Sequence, residues 1–285
     1  MKCRVVVTGF GVLSPIGSET EFTIALKNGQ SGVDFIRQYC TEKEPVKIDG
    51  EVQDYCSEDF FSIRELKITD RFSQFAILAT QMALEKAKLT DQAELLRCSE
   101  VYIGTGIGGI ATYAQLYDQV VQSGRADVYG IPKIMNNAAA GLIATRFQVQ
   151  GGNYSINTAC SSGSNAIGLT YLSVKEGRST TAICGGTEAP LGPKILRAWN
   201  SLQVLNNNYS TPQEACKPFR KGRNGFSIAE GAGVLILEER EQAIQRRAEI
   251  SGEIIGFACN DRTKPFGCQF IICSGSTLGS GSPGR

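Results

Sequence analysis

The sequence predicts an α/β domain: layers of helix packed on a largely parallel sheet. Three observations carry this expectation. Short apolar runs rich in β-branched residues recur along the chain, segments of helical periodicity fall between them, and glycine-rich turns join the two. Alternation of this kind is the signature of strands linked by helical crossovers. The composition allows it. With 285 residues, 42% hydrophobic and 20% charged, the chain can bury a sizeable core, and wholesale disorder is excluded.

The elements follow in order. Residues 4–8 are a buried-strand run ended by Gly9 and Gly11, and Ser14, Pro15 and Gly17 form a turn before a short helix over residues 19–27. Residues 29–65 are mixed and polar-rich, the pattern of excursions over a surface. Thr69 or Asp70 caps a strong helix in which Phe72, Phe75, Ala76, Ala79, Met82 and Ala83 recur at helical spacing. Residues 101–103 form a strand leading into glycines 104–109, followed by a helix near 110–122. Small residues over 136–147 suit close helix packing. A strand at 154–157, a turn at 158–160 and a helix over 161–176 come next. Residues 181–184, 234–237 and 251–258 are further strands, and residues 274–285, mostly Gly and Ser, read as a flexible tail.

Charge and side-chain inventory narrow the chemistry. Twenty-nine basic against 28 acidic residues give a net charge of +1, with no basic stripe of the kind nucleic acid requires. The apolar run at residues 5–7 is broken at once, and nowhere do 18 apolar residues run together, so neither a signal peptide nor a membrane span is expected and the chain reads as cytosolic. The ten cysteines include no Cys-x-x-Cys pair; most are expected to be small buried apolar residues. The sequence contains no histidine, which excludes Ser-His-Asp and Cys-His catalysis and histidine-held metals within this chain.

Three constellations remain. Gly104-Thr-Gly106-Ile-Gly108-Gly109 formally satisfies a dinucleotide fingerprint, with Asp127 near the acidic position. Residues 125–135 offer no convincing strand, and a glycine turn permitting close backbone packing is the favoured reading. Cys160, in Thr158-Ala-Cys-Ser-Ser-Gly163, sits between a strand and a helix rich in small residues. The helix N–H groups at such a junction can stabilise developing negative charge, although a structural cysteine fits the pattern equally. The run Phe219-Arg-Lys-Gly-Arg223-Asn-Gly-Phe226 interleaves bases with aromatics, either for phosphate contact or as a solvated turn. Glu230, among glycines before a strand, reads as a buried carboxylate with a hydrogen-bonding job.

In combination these motifs resemble the β-ketoacyl-acyl carrier protein synthases, condensing enzymes of the thiolase-like superfamily. The opening residues 4–17, the glycine turn 104–109, the Cys160 motif continued by Ala166-Ile-Gly168, Gly185-Gly-Thr-Glu188-Ala-Pro190, and residues 217–233 occur in that family's order over about residues 3–260. The resemblance implies a thiolase-like layered fold of two similar halves. It divides the chain into an N-terminal synthase domain (1–250), the start of a second half (251–262) and a divergent Gly/Ser-rich tail (263–285). It makes Cys160 the acyl-accepting nucleophile, whose backbone N–H gives half of an oxyanion hole. It implies acyl carrier protein, through phosphopantetheine thioesters, as partner, either a homodimer or a ketosynthase pairing, and no metal or cofactor.

The departures matter too. The family works with Cys-His-His, and neither histidine is present; Asn224 stands where aspartate is usual and Ala229 where glycine is common. Beyond about Asp261 no family pattern continues, as a frameshift, alternative ending or fusion would leave. The expectation is a nucleophile-bearing half that self-acylates without condensing and exposes an apolar face, with marginal stability unless a partner covers it. The alternative is a non-catalytic partner resembling the chain-length subunit of polyketide ketosynthases, which usually lacks the cysteine.

Overall fold

A computed structural model of the chain describes residues 3–261 and 268–275, with side chains described up to Cys259. In chain order the strands are β1 (Val5–Ser14), β2 (Gly17–Ser18), β3 (Asp34–Phe35), β4 (Ile48–Asp49), β5 (Glu100–Gly104), β6 (Asn153–Ile156), β7 (Thr181–Glu188), β8 (Gly231–Glu239), β9 (Gly252–Asp261) and β10 (Cys268–Gly275). The helices are α1 (Glu19–Lys27), α2 (Ile63–Ile68), α3 (Arg71–Lys86), α4 (Ala93–Cys98), α5 (Ile110–Ser123), α6 (Gly130–Ile134), α7 (Ala138–Arg146), α8 (Ser162–Lys175), α9 (Pro193–Ser201) and α10 (Arg240–Gln245).

The main sheet runs β10-β9-β1-β8-β7-β5-β6, and a small β3-β4 pair lies apart. Only β7-β5-β6 pair in parallel; β8 runs antiparallel to both β1 and β7, and β9 to β1. The expected largely parallel sheet is therefore a mixed one. The reason is topological: β8 enters between β1 and β7 after the long excursion of residues 189–230, and such a return is free to run either way. An apolar run does not encode its direction.

Period-two alternation feeds two apolar faces. Val101, Ile103, Ile183, Val234 and Ile236 point to one side, where α3 and α7 cover them with Phe72, Phe75, Leu84, Ala140 and Ile143. Tyr102, Ala182, Cys184, Leu237 and Val5 point to the other, against Ala166, Tyr171 and Val174 of α8. A sheet covered on both faces explains why these strands read as continuous apolar runs. Asp70 caps α3, its carboxylate accepting from the Phe72 N–H at 3.0 Å, as the sequence pattern anticipates. Gly168 of α8 lets β9 dock: a Cβ there would lie 2.1 Å from the Phe257 ring, and the Tyr171 hydroxyl donates to the Ile255 carbonyl at 3.1 Å.

Two further expectations change. Cys40, Cys56, Cys98, Cys160, Cys216 and Cys259 are exposed, and among the described cysteines only Cys184 is buried, where burial pushes its thiol up to about 12. Those exposed residues sit in loops and at element ends, positions an apolarity argument does not see. Part of the expected tail is a strand: β10 pairs antiparallel with β9, Ile271 opposite Ala258. The Phe270-Ile271-Ile272 run has strong strand propensity, and β9 offers it an open edge. Residues 262–267 and 276–285 lie outside the described residues.

A buried ion pair locks β8 to the helical layer. Arg246 donates to both oxygens of the fully buried Glu238, which also accepts from Thr8, and its third contact is the Ala87 carbonyl at 2.9 Å. Removing one partner of such a pair strands the other charge. Arg246→Ala is expected to lower unfolding stability by about 3–5 kcal/mol, read from the urea midpoint.

Candidate active site

The carboxyl ends of β5, β6 and β7 converge on the N-terminus of α8, and the link from β6 to α8 carries Cys160. Ala159 takes φ +54°, a left-handed conformation that costs a non-glycine residue about 1–2 kcal/mol. This turn lifts Cys160 out of the strand line and leaves it exposed immediately before the helix. Side chains on both sides hold the turn. The Ser162 hydroxyl accepts from the Thr158 N–H at 2.9 Å and donates to the Ala159 carbonyl at 2.7 Å. Asn165 donates to the Thr158 hydroxyl at 2.8 Å, and Asn157 to the Thr105 carbonyl at 2.6 Å. No side chain caps the N-terminus of α8, which leaves that end's partial positive charge beside the thiol.

Cys160 opens into a cavity of about 610 Å³. Its walls are the glycine turn (Gly104–Ile107), the end of β7 (Gly186–Glu188) and a far side made of Trp199, Phe226, Ile228 and Ala229. Trp199 and Phe226 meet edge to face, ring centroids 6.1 Å apart. A mostly apolar pocket with one soft nucleophile at its base suits an acyl chain better than a sugar or nucleotide.

The glycine turn serves backbone packing, as favoured from the sequence. A Cβ on Gly104 would lie 2.2 Å from the Ser162 carbonyl carbon and 2.4 Å from the Gly163 nitrogen, so α8 can approach β5 only over glycine. Glu188, at the end of β7, holds the turn from the opposite side: it accepts from the Gly106 N–H at 2.6 Å, the Thr105 hydroxyl at 3.1 Å and the Ile107 N–H at 3.3 Å. Burial pushes its carboxyl up, opposed by these three donors. Where a dinucleotide fingerprint would want a strand near Asp127, that residue caps the turn into α6 and pairs with Lys133 at 2.9 Å.

Glu230 is the buried carboxylate its surroundings suggest. Arg71 grips it with both arms (Nε to Oε2 at 2.8 Å, Nη2 to Oε1 at 2.6 Å), and the Val52 N–H donates to it at 2.9 Å. This ties the cavity wall at 228–230 to α3 and to the strand at 50–52. The Gly50 N–H donates to the Ile228 carbonyl at 2.8 Å, and the Glu230 N–H to the Gly50 carbonyl at 3.0 Å. Glu188 and Arg71 received no role from the sequence; each acts on a partner distant in the chain, which local pattern does not reveal. Asp49, beside this clasp, is 1% exposed, and neither carboxylate oxygen has a hydrogen-bond partner.

Fold and cavity define a class first: a layered α/β protein with a cysteine raised on a strained strand-to-helix turn at the base of an apolar pocket. Comparisons with known proteins narrow it. Residues 2–243 match the family described as "Beta-ketoacyl synthase, N-terminal domain". The chain is 38% identical over 262 residues to a 3-oxoacyl-[acyl-carrier-protein] synthase 2 of Synechocystis sp., covering 90% of this chain and 62% of that protein. It is 36% identical over 258 residues to the synthase 2 of Staphylococcus aureus, covering 89% and 62%. Among solved structures, the ishigamide ketosynthase/chain length factor superposes with a TM-score of 0.83 at 30% identity, over 91% of this chain and 64% of that one. A β-ketoacyl synthase from Burkholderia phymatum gives 0.80 at 27% identity, over the same shares. The chain belongs to the β-ketoacyl synthase family and has the thiolase-like ketosynthase fold of its neighbours. It spans 62% of the length of these curated relatives.

Proposed function

We propose that this chain accepts an acyl group on Cys160 from the thioester of an acyl carrier protein, the first half-reaction of a β-ketoacyl synthase in fatty-acid or polyketide assembly. The observation that carries the reading is Cys160 itself: exposed, set on the Ala159 turn at the uncapped N-terminus of α8, and facing a 610 Å³ cavity. The Cys160 thiolate attacks the acyl carbonyl carbon, the carbon–sulfur bond to phosphopantetheine breaks, and the departing thiolate takes up a proton from water. The Cys160 backbone N–H is one donor to the oxyanion of the tetrahedral intermediate. Glu188 and the Gly104 contact keep that N–H and the sulfur in register. Decarboxylative condensation with a malonyl carrier leans on two imidazoles in this family, and the chain has no histidine, so the chain alone is expected to stop at the acyl-enzyme.

In this reading residues 1–250 are the synthase N-terminal domain, 251–262 begin the second half, and 263–285 diverge. The reading includes a homodimer. Tyr113, Tyr117 and Val121 on α5 and Ile131 on α6 are exposed, and β6 is a sheet edge, an arrangement that suits pairing with a second copy. A non-catalytic partner role draws on one observation, the missing histidines, alongside the chain-length-factor neighbour. An accessible Cys160 favours the acyl-accepting role over it.

Incubation of the pure chain with an acyl carrier protein, followed by intact-mass measurement, is expected to show one acyl adduct, lost in Cys160→Ser. No adduct on the wild-type chain removes the proposal. Ketoacyl product from the chain alone overturns the restriction to the first half-reaction.

A further inference from the structure

We propose that the loop Lys217–Arg223 is the docking surface for the acidic carrier that brings the acyl group to Cys160. The inference rests on the acyl-transfer reading above and adds where on this chain the donor is held.

The loop springs from the cavity wall. Leu205 and Phe226 pair at its neck: the Phe226 N–H donates to the Val204 carbonyl at 3.0 Å, and the Asn206 N–H to the Phe226 carbonyl at 3.0 Å. Phe226 lines the Cys160 cavity, so the loop begins three residues from that wall. Asn206 also reaches inside the excursion, its amide donating to the Ala215 carbonyl at 2.6 Å. The segment is thus anchored at both ends and in its middle, and it presents two successive turns outward at Pro218–Phe219 and Lys221–Gly222.

What it presents is cationic and unpaired. Arg220, Lys221 and Arg223 are exposed, Lys217 is half-buried, and none of the four forms a salt bridge to a described residue. From Pro190 to Ala229 the sole acidic residue is Glu214, while the other two bases of this stretch are already engaged, Lys194 by Asp118 and Arg197 by Glu44. Phe219 stands among the free charges, fully exposed and at φ +67°, a conformation that disfavours a bulky side chain. A folded chain gains nothing internally from holding an aromatic ring in water on a strained turn. An aromatic anchor ringed by arginine and lysine is the usual make-up of a protein-binding hot spot, and its charge selects an acidic face.

The test uses two acyl donors on the full chain. The triple variant Arg220→Glu, Lys221→Glu, Arg223→Glu is expected to lower the rate of Cys160 acylation from an acyl carrier protein at least tenfold at low salt. It should leave acylation by a small N-acetylcysteamine thioester unchanged, which also shows that the variant is folded. The wild-type rate from the carrier should fall with added salt, and Phe219→Ser should slow the carrier reaction alone. Equal loss with both donors, or loss with neither, overturns the docking assignment. If the wild-type chain is acylated by neither donor, the acyl-transfer reading fails by itself. Docking is then read from direct binding of the carrier: binding abolished by the triple variant upholds the surface, and undiminished or absent binding overturns it.

Discussion

Gly104→Ala is expected to cut acylation of Cys160 about 100-fold and to lower unfolding stability by roughly 3 kcal/mol. The added methyl would sit 2.2 Å from the Ser162 carbonyl carbon and 2.3 Å from its oxygen, both backbone atoms of α8's first turn, so no side chain can rotate away. Either β5 or the start of α8 must move by an ångström or more. Any such movement carries Cys160, because Ser162 holds the turn at Thr158 and Ala159. Both effects come from one displacement, so the variant's acylation time course and its urea midpoint should change together. Unaltered acylation with lowered stability would mean that β5 yields and the nucleophile turn does not depend on this contact.

Asp49→Asn is expected to stabilise the protein, and increasingly so as pH rises from about 4 to about 8. Burial, followed by the charges of Glu51 and Glu230, pushes the Asp49 carboxyl up to about 8. Asp34, its partner across the β3-β4 pair, adds a third carboxylate nearby, and the unpartnered Tyr39 hydroxyl supplies no compensating bond. In the unfolded chain the same group titrates near its ordinary value of about 3.9. Between those values the folded state binds the extra proton, so stability falls as pH rises through this window and levels off above about 8. At about 1.4 kcal/mol per unit the full window spans up to roughly 5 kcal/mol. The asparagine variant keeps the shape of the protonated acid and does not titrate. Melting curves at pH 5 and pH 8 should diverge between the two proteins, with the variant ahead at pH 8. Parallel pH profiles would show that Asp49 is ionised in the fold.

The consequence reaches the site. Asp49 adjoins Gly50, whose backbone is bonded on both sides to the cavity wall at 228–230. A charge forming there strains the clasp that Arg71 and Glu230 otherwise close.

Much of this molecule was legible locally. The helical spacing of Phe72, Phe75, Ala76, Ala79 and Ala83, with Asp70 before it, marks α3 and its cap, and both are observed. Residues 19–27 form the expected helix, and the Thr158–Cys160 turn lies between strand and helix as the small-residue pattern indicates. Helix periodicity and capping are short-range properties, fixed within a few residues of the chain. The motif order also suffices to name the family.

Other features depend on residues that meet only after folding. Glu188 reaches Gly106 across 82 positions and Arg71 reaches Glu230 across 159, and no window of sequence contains either pair. Strand direction was decided by where β8 inserts, and the exposure of five further cysteines by which loops face water. The strand β10 emerged inside an expected tail because β9 offered an edge. By itself, then, the sequence determined the elements, the family and the position of the nucleophile in the chain. Tertiary structure decided the mixed sheet, the clasp behind the cavity, the orphaned Asp49 and the unpaired cations of the 217–223 loop. Burial and pairing are properties of the packed chain, set by distant residues brought within a few ångströms, and no single segment carries them.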